Sequence, residues 1–189
     1  MKEVCLMNIT EKLVMQVNEQ LEHELMSYER IMKHEIYRIA GVFKKEQRAF
    51  HFRYRNISDE ISWFSKSLVV EQAKLFYEME RKGKHPTLDF SSMWSKHSYN
   101  IDDSGLLLLE LGVSEQRKIL KVPFYVHEQQ LQNLKMGELK EMIIKHRGDD
   151  WFAFVTISMQ IPKKKDGLPL GIDLGNIIPL ERYPATSKE

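Results

Sequence analysis

Cysteine occurs once, at Cys5, so the chain can build neither an internal disulfide nor a thiolate zinc site, and any metal would have to come through carboxylates or histidines. Apolar runs are short, as at Leu106 to Leu109. A membrane-spanning helix needs roughly 20 such residues, so none is expected. The start Met1-Lys2-Glu3 also lacks the apolar stretch of a secretory leader, and the expectation is a cytoplasmic protein with no membrane partner. Excess charge of one sign is missing as well, the net being +1. With 42% hydrophobic and 29% charged residues over 189 positions, the composition is that of a folded chain long enough to bury a core. No internal repeat or low-complexity tract is visible.

The near-neutral total hides an uneven distribution. Lys44, Lys45, Arg48, Arg53 and Arg55 are answered locally only by Glu46, and they are interleaved with Phe50, Phe52 and Tyr54. Cations neutralise phosphates and release counterions, while rings stack on exposed bases, so the stretch is a candidate nucleic-acid surface. The competing reading, a solvated face with its aromatics turned into the core, has equal weight on the residues alone. Upstream the charge is acidic, at Glu11, Glu19, Glu22, Glu24, Glu29 and Glu35, which makes that end a poor nucleic-acid surface.

Apolar residues at Ile9, Leu13, Val17, Leu21, Leu25, Tyr28, Met32, Ile36, Ile39 and Phe43 recur in steps of three and four. That spacing predicts one long amphipathic helix or two broken near Ser27, with Asn8 and Glu11 as the capping pair and Gly41 at the end. A second helix is expected from Asn56 or Ser58 to Gly83, ahead of Pro86. Beyond Pro86 the pattern alternates, and strands are expected at 98–101, 106–111, 117–124, 138–145 and 150–161, with a short helix at 127–134. In the last strand Trp151, Ala153, Val155, Ile157 and Met159 face one way and Phe152, Phe154, Thr156, Ser158 and Gln160 the other, which marks it as central. The fold class is α+β, with a helical region at 1–86, a small antiparallel barrel at 87–162, and a linker and final strand at 163–189.

The basic linker Lys163, Lys164, Lys165, a candidate to track a nucleic-acid backbone or else a solvated charged loop, leads to Pro169-Leu170-Gly171-Ile172-Asp173-Leu174-Gly175. An acid in an apolar strand is costly to bury without a partner, so Asp173 is either hydrogen-bonded or at the surface, or else a metal ligand whose flanking glycines let a phosphate or second chain come near its backbone. Gly171-Ile172-Asp173-Leu174-Gly175 resembles the first motif of RuvC-like nucleases. The stretches 53–66, 71–74, 82–88, 94–99 and Lys121-Val122-Pro123-Phe124 resemble the N-terminal half of the TnpB (OrfB) family of transposon-encoded, RNA-guided DNA endonucleases.

The resemblance covers about Phe50 to Ile178. It implies a helical recognition lobe, a wedge-type (OB-like) barrel that grips structured guide RNA, contact with DNA, and then the first strand of an RNase H-like nuclease. It also implies that Asp173 is the first of three acids holding divalent cations such as Mg2+. The family's second Glu, third Asp and paired cysteines have no counterpart before Glu189, so the expectation is a binding half without a complete catalytic site and without a cofactor of its own. Glu181 stands too near Asp173 to replace either missing acid. The rival expectation from another class is a protein-interaction module, or a remnant, that self-associates through the long first helix.

Other constellations fail on spacing. His34-Glu35 begins like a zinc-protease helix, but Arg38 stands where the second histidine must lie. Asp102-Asp103 and Asp149-Asp150 fit turns better than a paired-carboxylate site. Trp63, Trp94 and Trp151 read as core or barrel-rim residues.

Overall fold

A computed structural model of the chain describes residues 4–102 and 104–162. The first described element is a strand, β1 (Val4–Met15), where the apolar spacing points to the start of the helix. This corrects the reading of Ile9 and Leu13 as helical positions. Met7, Ile9, Leu13 and Met15 alternate along one face of β1, and the polar Glu11 interrupts the pattern. Its carboxylate accepts hydrogen bonds from Gln130 (3.0 Å) and Asn133 (2.6 Å), donors supplied more than a hundred residues later.

Helix α1 (Glu19–Lys45) begins after Asn18, whose side chain accepts from the Leu21 amide at 2.9 Å. Glu19 and Glu22 in its first turn and Lys44 and Lys45 in its last complement the helix dipole. Gly41 lies inside the helix rather than ending it. Helix α2 (Lys66–Arg81) starts later than its apolar spacing predicts, because two 3₁₀ turns, Tyr54–Asn56 and Trp63–Ser65, occupy the preceding stretch. It ends as expected, with Gly83 at φ 72° just beyond it.

The remaining elements are β2 (Ser92–Trp94), β3 (Tyr99–Ile101), β4 (Leu106–Leu111), β5 (Lys118–Tyr125), α3 (Glu128–Met136), β6 (Glu138–Arg147) and β7 (Asp150–Pro162). Strand β2 is not among those expected from the alternation, being a three-residue strand buried throughout. All pairings are antiparallel, in the order β2-β6-β7-β1-β5-β4-β3. The expected central strand β7 is an interior one, and β1 pairs with it along its whole length, from Val4 opposite Pro162 to Met15 opposite Trp151.

This order forces the sheet to curl. Its two edges, β2 and β3, are separated in the chain only by residues 95–98. Those residues span at most about 18 Å, whereas seven flat strands would hold the edges roughly 29 Å apart. Tyr99 on β3 accordingly donates its hydroxyl to the Lys140 carbonyl on β6 at 3.0 Å, reaching across the opening. The seam is polar: the hydroxyls of Ser65 and Ser98 meet at 2.8 Å, and Trp94 donates its indole N–H to Ser92 at 2.9 Å.

Helix α1 fills the mouth of this half-barrel. Tyr28 stacks on Trp94 with ring centroids 4.6 Å apart, and Leu25 and Met32 are buried beside them. The farther half of α1, through Ile36, Ile39 and Phe43, packs on Val69, Ala73 and Tyr77 of α2 in the same core. Across α1's N-terminal half, Glu24 pairs with Lys118 of β5 and Glu29 faces His146 of β6 at 3.4 Å. No helix among the described residues is long and apolar enough to cross a membrane.

Candidate nucleic-acid interface

The basic, aromatic stretch lies between α1 and α2, and its side chains divide by the core. Phe43 at the end of α1 gathers Phe50 and Phe52 edge-on, at 5.2 and 6.4 Å between centroids. Phe52 is buried and Phe50 half-buried, so both rings serve first as packing. Lys45, Arg48, Arg53 and Arg55 are exposed on the other side and form no ion pair with described residues, while Lys44 reaches Glu80 at 3.6 Å. The stretch is therefore a surface of cations mounted on an aromatic anchor.

Arg38 fixes how that surface is presented. Its guanidinium pairs with the buried Glu35 carboxylate at 2.5 Å, lies 5.5 Å from the Phe52 ring centroid, and donates to the Asn56 carbonyl at 2.7 Å. The last bond holds the C-terminal end of the 3₁₀ turn that carries Tyr54 and Arg55. The His-Glu start that spacing rejected as a metal site is thus half of a structural ion pair.

The next segment is pinned by a buried cation. Lys66 is fully buried, and its ammonium donates to the Ile57 carbonyl (3.0 Å) and to Asp59 (2.9 Å), with the Trp63 ring 5.7 Å away. From the sheet side, the amides of Gly112 and Val113 donate to the carbonyls of Glu60 and Asp59, each at 2.9 Å. Gly112 has φ 71°, and a Cβ there would lie 2.3 Å from the Gln116 carbonyl oxygen, so glycine is required by the turn from which these two amides are presented.

With the loop held from both sides, a second set of rings reaches solvent. Tyr54 lies between His51 (6.1 Å) and Trp63 (6.0 Å, edge-on), and Trp63 is 51% exposed. Phe64 is exposed beside His97 at 5.1 Å. Trp94 and Trp151 occupy the core as read from the sequence, but Trp63 does not. Trp63, Phe64 and His51 are the candidate contact residues that sequence reasoning passed over. Their exposure depends on Lys66 and Gly112, neither of which marks a ring as outward-facing in the sequence. The arrangement offers no nucleophile with a base beside it; what it offers is phosphate neutralisation and ring stacking.

Among the described residues no group of three or more His, Cys, Asp or Glu side chains is placed to hold a metal ion. Asp173 and the basic linker Lys163, Lys164 and Lys165 lie outside the described residues. A comparison of the sequence with models of known protein families and with curated proteins finds no match in either.

Proposed function

We propose that this chain is a nucleic-acid-binding protein that grips structured RNA, and secondarily DNA, through the connector between its two long helices. The observation that carries the reading is the set of exposed cations Lys45, Arg48, Arg53 and Arg55, none paired with a described residue, beside the exposed Trp63 and half-exposed Tyr54. A polyanion with accessible bases satisfies both halves of that surface, whereas a neutral ligand would leave the cations unanswered.

On this reading the chain resembles the RNA-gripping half of a TnpB-like nuclease, its curled sheet standing for the wedge barrel and Asp173 for the first nuclease acid. It would bind without cutting, and Mg2+ would belong to a complete site rather than to this one. The test is the affinity of the purified chain for a hairpin RNA and for duplex DNA at several salt concentrations. Tight RNA binding that weakens steeply with salt supports the reading; binding no better than that of an unrelated neutral protein refutes it.

One observation favours a second reading. Tyr37, Leu75 and Met79 expose apolar surface on the α1–α2 pair. Self-association through this face would make the chain an interaction module, and sedimentation that changes with protein concentration, with no RNA affinity, would establish that instead.

A further inference from the structure

The sheet carries aromatic residues on both faces, and the core uses only one of them. Trp151, Ala153, Val155 and Ile157 point inward and are buried. On the outer face, registered pairs share a side, so Lys145 of β6, Phe152 of β7, Val14 of β1 and Tyr125 of β5 form one row across four strands. Ile143, Phe154 and Lys12 form the row beside it. Tyr125 is 65% exposed and Val14 42%, while Phe152 and Phe154 are half-buried and lie outside the core cluster of the described residues.

Lys12 holds its ammonium 3.8 Å from the Phe152 centroid, which keeps a cation over the ring face. Two open grooves, of about 620 and 650 Å³, both include Lys12 in their walls; Phe152, Phe154 and Arg147 line one and Tyr125 and His127 the other.

From this face we infer a second binding surface, specific for single-stranded nucleic acid, in which unpaired bases stack on Phe152, Phe154 and Tyr125 and phosphates meet Lys12 and Arg147. Three observations select this occupant. Cations border the rings: Lys12, Lys145 and Arg147 stand in the groove wall against Asp89, which pairs with Lys145 at 2.6 Å, and Asp150, which lies opposite Arg147, so the balance is positive and suits a polyanion. Strand β7, which carries both phenylalanines, is flanked by β6 and β1, so a peptide cannot add to it as a strand and only side-chain contacts are available there. The rings stand roughly 7 Å apart along β7 and about 10 Å apart from β7 to β5, so each meets its own base; a duplex, whose bases hide their faces, cannot use them.

This inference shares the nucleic-acid class of ligand with the function proposed above but places it on a different surface, so the two fail separately. The probes are fluorescein-labelled twelve-nucleotide oligo(dT) and oligo(U) strands, with a twelve-base-pair duplex as control, followed by anisotropy against the whole chain. Tyr125→Ala and Phe152→Leu are each expected to weaken single-strand binding roughly 5- to 100-fold and to leave duplex binding unchanged. Tyr125 is exposed enough for its variant to keep the wild-type circular dichroism and melting temperature, which are recorded alongside.

Equal loss on the DNA and RNA strands marks a surface that ignores the 2′-hydroxyl; loss on one alone assigns that polymer, and either outcome supports the platform. Unchanged single-strand affinity in both variants overturns it. If Arg53→Ala with Arg55→Ala abolishes that affinity while the ring variants do not, the platform falls and the connector stands, and the reverse pattern does the opposite. A wild-type chain that binds neither strand, or one whose oligomer dissociates on Tyr125→Ala without any strand affinity, also overturns the inference.

Discussion

Arg38 donates its guanidinium to the carbonyl of Asn56 at 2.7 Å, and through that one bond helix α1 sets the position of the turn on which Arg55 stands. The same guanidinium neutralises Glu35, a carboxylate buried among the residues that pack α1 on α2. A single side chain therefore joins the stability of the helical pair to the presentation of the cationic loop.

Arg38→Ala is expected to act on both. Leaving the buried Glu35 unpaired costs about 3 kcal/mol in a urea titration. RNA affinity falls in the same variant even at temperatures where it remains folded. Arg38→Lys keeps the charge but loses the forked geometry, so it falls between the two. Affinity unchanged in a stably folded Arg38→Ala would show that the Asn56 bond does not position the loop.

Lys66→Met keeps the buried volume and removes the donors. The Ile57 carbonyl then lacks its partner, and a loss of about 2 kcal/mol is expected from chemical denaturation. Quenching of tryptophan fluorescence by neutral acrylamide reports the loop without a charge effect, and it should rise in the variant as the segment that Lys66 pins to Ile57 and Asp59 loosens around Trp63.

Gly137 is a test of packing without charge. A Cβ placed there would fall 1.8 Å from the Ile157 Cγ2, a core atom of β7. Gly137→Ala is expected to cost about 2 kcal/mol, and much less on an Ile157→Ala background where that methyl is gone. Additive losses in the double variant would mean that the two residues do not meet.

Stability should fall on the alkaline side. Burial pushes the hydroxyls of Tyr28 and Tyr99 far above the ordinary tyrosine range, so both stay protonated in the fold while the unfolded chain ionises near pH 10. Their contribution is complete below about pH 10 and is lost as pH rises beyond it, because the unfolded state then binds fewer protons. Urea midpoints between pH 8 and 11 measure this, and Tyr99→Phe should flatten the decline while costing about 1 kcal/mol near neutrality for the lost bond to Lys140. On the acid side Glu138, held by hydrogen bonds from Lys140 and Lys96 at about 2, loses its contribution as pH falls from the ordinary carboxylate range toward that value.

Much of the fold is legible in the residues. Leu106–Leu111 and residues 151–158 alternate strictly in burial because one face of each is buried, Lys118–Tyr125 does so only in its second half, and all three strands appear where they are expected. β1 is not legible because Glu11 breaks the alternation at an inward position, and its hydrogen-bond partners lie on α3, beyond any local window. The late start of α2 has the same origin: Ser62 caps a 3₁₀ turn by accepting from the Ser65 amide, and Lys66 is committed to the preceding loop.

At the candidate interface the cations can be read from sequence, but the roles of the rings cannot. Phe50 and Phe52 are drawn inward by Phe43, and the outward rings are Trp63 and Phe64, eleven positions or more away from them. Composition brings aromatics and cations together, and only the packing of α1 on α2 decides which of them face solvent.

The central claim, that the connector grips RNA through Arg53 and Arg55, is tested most directly by the salt dependence of hairpin-RNA affinity in the wild-type chain and in the Arg53→Ala, Arg55→Ala double variant. If each arginine neutralises one phosphate, the slope of log affinity against log salt becomes shallower by about 1.4 to 1.8 in the variant, with its melting temperature unchanged. An identical slope in the two proteins would contradict the claim.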